Sequence, residues 1–174
     1  QRRKRCVEDV LLRTSPLTRE IVIWNNASED GSREYLEGLS DPRIRLVHAP
    51  ENIGQNAYAR AFRQATQEYF IELDDDVIEA PQRWDATMLR AFQRVPRIGY
   101  LAASLVEDPN DSASCYFTYL RDERGAYSRR EINGVALLEG PTGGGCTITS
   151  RELYERVGGF GENKNLIYWH EDAA

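Results

Sequence analysis

Apolar positions change their period several times along the chain. Residues 3–13, KRCVEDVLLRT, place Cys6, Val7, Val10 and Leu11 on one helical stripe. The compact run EIVIW (20–24) reads as a buried strand and is followed by the turn-rich NNASEDGS. Residues 32–39 form a short helix, and RIRLVHA (43–49) alternates as a strand does. NIGQNAYARAFRQATQ (52–67) carries Tyr58, Ala61, Phe62 and Ala65 at helical spacing. EYFIEL (68–73) returns to a strand, QRWDATMLRAFQR (82–94) is a helix behind Pro81, and IGYLAASLV (98–106) is a further strand.

Strands and helices alternating through short connections predict an α/β fold, with a largely parallel sheet flanked by helices. After residue 107 the pattern loosens. SCYFTYLRD and AYSRREINGVALLEG read as strands of an irregular or antiparallel part. PTGGGCTITS then leads through Ser150, an N-cap, into the helix RELYERVG. With no repeat, low-complexity segment or linker, a single domain over 1–174 is expected.

One stretch resists a packing explanation. In YFIELDDDVIEAP (69–81) an apolar run ends in Asp74, Asp75 and Asp76. Adjacent carboxylates repel and lose hydration when covered, so packing alone would not select them. In open α/β sheets, ligands bind beyond the carboxyl ends of strands. Both the aspartates and NNASEDGS follow strands at that edge, so two polar loops are expected to converge on one crevice. In extended backbone Asp74 and Asp76 point the same way. Hard carboxylate oxygens suit Mg²⁺ or Mn²⁺, completed by substrate phosphates. The plainer alternative is a solvated acidic turn before a helix.

Composition narrows the partners. The 174 residues carry a net charge of −6, which argues against a nucleic-acid partner. The basic run RRKR (2–5) reads as a solvated helix start, with a membrane-surface role as the lesser alternative. Cys6, Cys115 and Cys146 are far apart, form no C-x-x-C pair and have only His48 and His170 beside them, so zinc is not expected. Unpaired thiols and the lack of a long apolar run point to a cytoplasmic protein with no transmembrane segment in this chain, at most peripheral to a membrane.

Several blocks together resemble family 2 glycosyltransferases, which have the GT-A fold. IVIWNNASEDGS is similar to the family's second strand and its D-N-x-S-x-D-G-[ST] loop. NIGQNAYARAFRQATQEYFIELDDDV is similar to the next block, with N-x-G, an Ala-Arg pair in the helix and a strand ending D-x-D. GGGCTITSRELYERVGGFGEN…HED resembles the acceptor-side block, where an E-D pair follows GGF. The blocks keep family order across residues 20–172.

The resemblance implies a Rossmann-like GT-A domain, with a nucleotide-sugar donor half over 1–106 and an acceptor half over 107–174. It implies that Asp76, supported by Asp74, binds a Mn²⁺ or Mg²⁺ ion bridging the donor's diphosphate, and that Asp74 also lies near the ribose. Asp75 is the variable middle position of the donor-binding motif. Asn25, Ser28 and Asp30 would line the nucleoside pocket, and Arg60 would sit near the nucleotide. Asp172 would be the general base, with Glu171 orienting the acceptor. The implied reaction moves a sugar from a nucleotide-diphospho-sugar, UDP-sugar favoured, to a glycan, lipid-linked or protein acceptor, with inversion by single displacement.

Each residue has a plainer role beside this one. Asn25 and Asp30 suit Asx-turns, Arg60 suits a helix surface, and Trp24 suits the core. Gly143, Gly144 and Gly145 lack a phosphate-loop pattern and suit close packing. Trp169 and His170 would form an acceptor wall. The family's usual aspartate at the end of the second strand is Asn25 here. Asparagine still accepts a hydrogen bond and adds a donor. The chain opens on a helix where the family begins with a strand, and it stops at EDAA, so a truncated, marginally stable and inactive catalytic domain is the expectation. Two alternatives remain at this point. One is an inactive GT-A-like domain or Ca²⁺-dependent sugar-binding module. The other is a haloacid-dehalogenase-type aspartyl-phosphate phosphatase, suggested by FIELDDDV.

Overall fold

The computed structural model describes residues 2–118 and 127–161. The chain divides into two compact units, each assembled from separated stretches: Gln1–Leu17 with Ile71–Thr149, and Thr18–Phe70 with Ser150–Ala174.

The second unit contains strand β1 (Ile21–Asn25), helix α2 (Ser32–Glu37), strand β2 (Ile44–His48) and helix α3 (Asn56–Gln64). It also contains helix α5 (Arg151–Arg156) and the beginning of strand β3 (Tyr69–Leu73). β1 and β2 run parallel in a register that pairs Ile21 with Ile44 and Asn25 with His48. α3 buries Ala59 and Phe62, and it ends where Ala65 turns extended. Phe62 meets Phe70, Tyr154 and Phe160 with ring centroids 5.0–5.2 Å apart, an aromatic core of the edge-on and stacked kind. Ser150 caps α5, its side chain accepting the Leu153 N–H at 3.2 Å as the sequence predicts. Arg151 donates to the Ala65 and Gln67 carbonyls and lies 4.7 Å above the Phe70 ring, closing the turn between α3 and β3.

The first unit opens with helix α1 (Arg2–Arg13), whose Cys6 is buried while Leu12 is exposed. It continues with the end of β3, strand β4 (Val77–Ile78), helix α4 (Trp84–Arg94), and strands β5 (Leu101–Ala102), β6 (Leu105–Asp108) and β7 (Asp111–Phe117). Strands β8 (Ser128–Ile132), β9 (Val135–Glu139) and β10 (Cys146–Ser150) follow. One sheet has the order β3-β10-β5, with β10 antiparallel to β5. A second has the order β4-β7-β6, parallel at β4–β7 and antiparallel at β6–β7. β8 and β9 form a separate hairpin around Asn133 (φ 51°) and Gly134 (φ 74°), the left-handed pair that a two-residue hairpin turn requires. The structure is thus mixed α/β. Antiparallel pairing concentrates after residue 100, where the hydrophobic pattern loosens.

Two elements differ from expectation. The predicted strand 98–106 is broken into β5 and β6, which pair in different sheets. The break lies at Ala103 and Ser104, where the Ala103 N–H goes to Cys146 and the Ser104 carbonyl accepts from Thr118. A run that is apolar on both sides of such a switch carries no sign of it. β4 is unforeseen as well: two residues, 1–2% exposed, that immediately follow the aspartates.

Candidate functional site

In the first unit the three aspartates occupy the turn from β3 to β4, closed by the Val77 N–H on the Asp74 carbonyl at 3.3 Å. Ladder-like backbone bonds anchor both ends: Asp74 N–H donates to the Gly145 carbonyl at 2.8 Å, and the Asp76 carbonyl accepts from Cys115 N–H at 3.0 Å. Asp75 is exposed, whereas Asp74 and Asp76 are half-buried. Gly145 has φ +82°, and a Cβ there would lie 2.9 Å from Leu105 Cδ1 and 3.9 Å from Asp74 Oδ2. Glycine is needed because the backbone is left-handed, and a side chain there would also press on Leu105. Two residues upstream, Glu72 is only 4% exposed and accepts from Thr147 Oγ1 at 3.1 Å and Tyr100 Oη at 3.3 Å. The strand-face period places Glu72 with Asp74. Sequence reasoning missed Glu72, although a lone Glu inside YFIEL is the signal that could have found it.

The cysteines, scattered in sequence, gather around this turn and are unbridged. Cys6 Sγ lies 3.4 Å from the Asp74 carbonyl oxygen. Burial, then the charges of Asp75, Asp76, Asp9 and Asp74, pushes its thiol from 9.0 up to about 12. Burial followed by Asp76, Glu107 and Asp74 raises Cys115, and burial followed by Glu72, Asp74 and Cys6 raises Cys146. The turn therefore carries a negative field that reaches three separate strands and helices. The unfolded chain ionises these thiols above about pH 9 while the fold keeps them protonated, so stability is fully present below that pH and falls from 9 toward 12. Alkylation at pH 8 is expected to spare Cys6 and Cys146 until the protein unfolds and to label Cys115 slowly. Rapid native-state labelling of Cys6 would contradict this arrangement.

In the second unit the loop after β1 is built by side chain to backbone bonds. Asn25, 5% exposed, accepts the Ser28 N–H on Oδ1 at 3.1 Å, and its Nδ2 lies 3.1 Å from His48 Nδ1. Asn26 ties the loop to the next one through Asn52 Oδ1, the Gly54 carbonyl and the Ile53 N–H. Asp30 accepts from Ser32 N and Oγ and so opens α2. Ala27 sits at φ 56°, a strained backbone for a residue with a Cβ. Arg60 is exposed on α3. Asn25 and Ser28 are therefore brought together, and Asn25 and Asp30 do form the turns that their residue types favour. Glu171 and Asp172, with Trp169 and His170, lie outside the described residues.

Glycosyl transferase family 2 is the family whose model matches, over residues 4–158. The chain belongs to glycosyl transferase family 2. That match spans both the NNASEDGS loop and the aspartate turn, and it leaves no place for the phosphatase alternative. A solved structure, that of GalNAc-T7 with UDP, GalNAc and Mn²⁺, superposes with a TM-score of 0.65 at 17% identity. The match covers 94% of this chain and 34% of that one, so the chain spans about a third of the length of its structural neighbour. The fold is GT-A, and the domain is a glycosyltransferase domain. Among the described residues no group of three or more His, Cys, Asp or Glu is placed to hold a metal ion, and no helix is long and apolar enough to cross a membrane.

Proposed function

We propose that this family 2 domain transfers a sugar from a nucleotide-diphospho-sugar, with UDP as the nucleotide, to an acceptor hydroxyl on a glycan, lipid-linked or protein substrate. The supporting observation is the aspartate turn: three carboxylates at the end of a GT-A strand, held by backbone bonds at both ends. The donor set fits a divalent ion, because Asp74 and Asp76 offer hard oxygens, and their charges add to burial in raising the neighbouring thiols. Two carboxylates with substrate phosphates are the usual Mg²⁺ or Mn²⁺ arrangement, so the lack of a three-ligand cluster is no obstacle. The UDP and Mn²⁺ in the GalNAc-T7 structure add support.

Asp74 and Asp76 would hold the ion, which when bound supplies Lewis-acid neutralisation of the leaving diphosphate. Asn25, Ser28 and Asp30 would bind the nucleoside, with Arg60 and Asp75 beside the nucleotide. Asp172 would take the proton from the acceptor hydroxyl as its oxygen attacks the anomeric carbon, and Glu171 would orient that acceptor. A single displacement of this kind inverts the stereochemistry. Residues 107–174 would carry the acceptor side, and the cytoplasm is the proposed location.

Calorimetric titration of the folded chain with UDP, with and without Mn²⁺ and with GDP as control, tests the donor site. Binding of UDP that strengthens with Mn²⁺ and exceeds GDP is expected. Failure of the folded chain to bind UDP under either condition would overturn the assignment.

A further inference from the structure

The end of β1 holds a hydrogen-bond chain that decides how Asn25 faces its surroundings. A primary amide can be turned over by half a rotation, exchanging its donor and acceptor. Here the Ser28 backbone N–H is a fixed donor, so Oδ1 must face it, at 3.1 Å. That leaves Nδ2 facing His48 Nδ1 at 3.1 Å, across the paired register of β1 and β2. Nδ1 must then accept, which puts the imidazole proton on Nε2. Nε2 in turn lies 3.4 Å from Glu37 Oε1, at the end of α2, an electrostatic approach without hydrogen-bond geometry. A hydrogen bond from Arg33, reinforced by the Arg33 charge, holds Glu37 below the usual carboxylate range, so it presents an anion to that proton. The reversed arrangement loses the Ser28 bond and turns the Nε2 lone pair toward a carboxylate. Both ends of the chain select one orientation.

We infer that His48 is a positioning residue for the nucleoside end of the donor, an inference that rests on the donor-site proposal. By fixing the amide of Asn25, it fixes which side of that amide donates and which accepts. Uracil presents an N–H flanked by carbonyl oxygens, whereas cytosine presents a bare ring nitrogen beside an amine. The two edges are opposite in sense, so an amide held in one orientation discriminates between them and an amide able to turn over does not. The carboxylate usual in the family at this position only accepts, so it favours the uracil N–H in any orientation; an amide has the same preference only while its orientation is held.

Two measurements on the full chain test it. Nitrogen-15 NMR of the imidazole without nucleotide should show His48 with its proton on Nε2; a proton on Nδ1 overturns the inference. UDP and CDP are then titrated, with Mn²⁺, against wild type, His48→Phe and His48→Asn, each checked for folding by circular dichroism. His48→Phe keeps the ring volume and removes the acceptor. It should weaken UDP about three- to tenfold, the worth of one hydrogen bond, and narrow the UDP-over-CDP ratio. His48→Asn can return an acceptor oxygen to the Nδ1 position and should restore part of the ratio. An equal loss for both nucleotides, or no loss, sinks the inference while leaving the donor site standing. Wild type that binds neither nucleotide brings down the donor-site proposal and this inference with it.

Discussion

Asp76→Ala is expected to remove the Mn²⁺-dependent part of UDP binding and to cut sugar transfer by on the order of a hundred- to a thousandfold. That is the scale of losing several kcal/mol of charge stabilisation at the leaving group. Alanine keeps the Asp76 carbonyl that accepts from Cys115 N–H, so the backbone pairing of the turn with β7 is retained. Circular dichroism and thermal melting of the variant check that the fold survives, so that a loss of binding is read from folded protein. Asp75→Ala, at the exposed centre of the turn, is the control and should cost far less. The thiols supply a readout that needs no ligand. Asp76 is the leading charge raising Cys115, so its removal should speed alkylation of Cys115 at mildly alkaline pH. Faster labelling with unchanged UDP binding would mean that the turn is intact but is not the diphosphate site.

The sequence carried the local part of this site and was silent on what supports it. Three consecutive aspartates after an apolar run, and an Asn-Asn-Ala-Ser-Glu-Asp-Gly loop after another, are composition signals that survive without any three-dimensional knowledge. Supporting contacts are of another kind. Cys6, Cys115 and Cys146 are far apart in the chain, yet all three feel the carboxylate of Asp74 because β7, β10 and α1 are brought to one turn. The pairing of Asn25 with His48 depends on the parallel register of β1 and β2, which periodicity does not fix across separate strands. The strand expected over 98–106 failed for the same reason, since one continuous apolar stretch serves two sheets. By contrast, the helix stripes, the Ser150 cap and the loosening after residue 107 depend on near neighbours, and these were legible. The Asn133-Gly134 pair was equally legible as a hairpin turn, and went unused.

Asp85→Ala is expected to destabilise the chain by about 3 kcal/mol, the scale of leaving buried partners of a charged group without their acceptor. Asp85 lies 3% exposed in the first turn of α4, where a carboxylate also complements the helix dipole. Its two oxygens take the Ser15 backbone N–H at 2.9 Å and the Ser15 hydroxyl at 2.7 Å, and Ser15 is itself 1% exposed. The pair fastens the end of α1 to the start of α4, beside the Arg83 N–H on the Arg13 carbonyl at 2.7 Å. Alanine would leave a buried N–H and hydroxyl without the carboxylate that accepts from both. Asp85→Asn keeps one acceptor oxygen and lets the serine hydroxyl turn to accept, so it should cost about 1 kcal/mol. Because α1 also presents Cys6 to the Asp74 carbonyl, loosening its far end should expose that thiol to alkylation before global unfolding. Urea titrations give the stabilities directly: a midpoint for Asp85→Ala close to wild type would show that the Ser15 bonds contribute little and that the other contacts of α1 hold it.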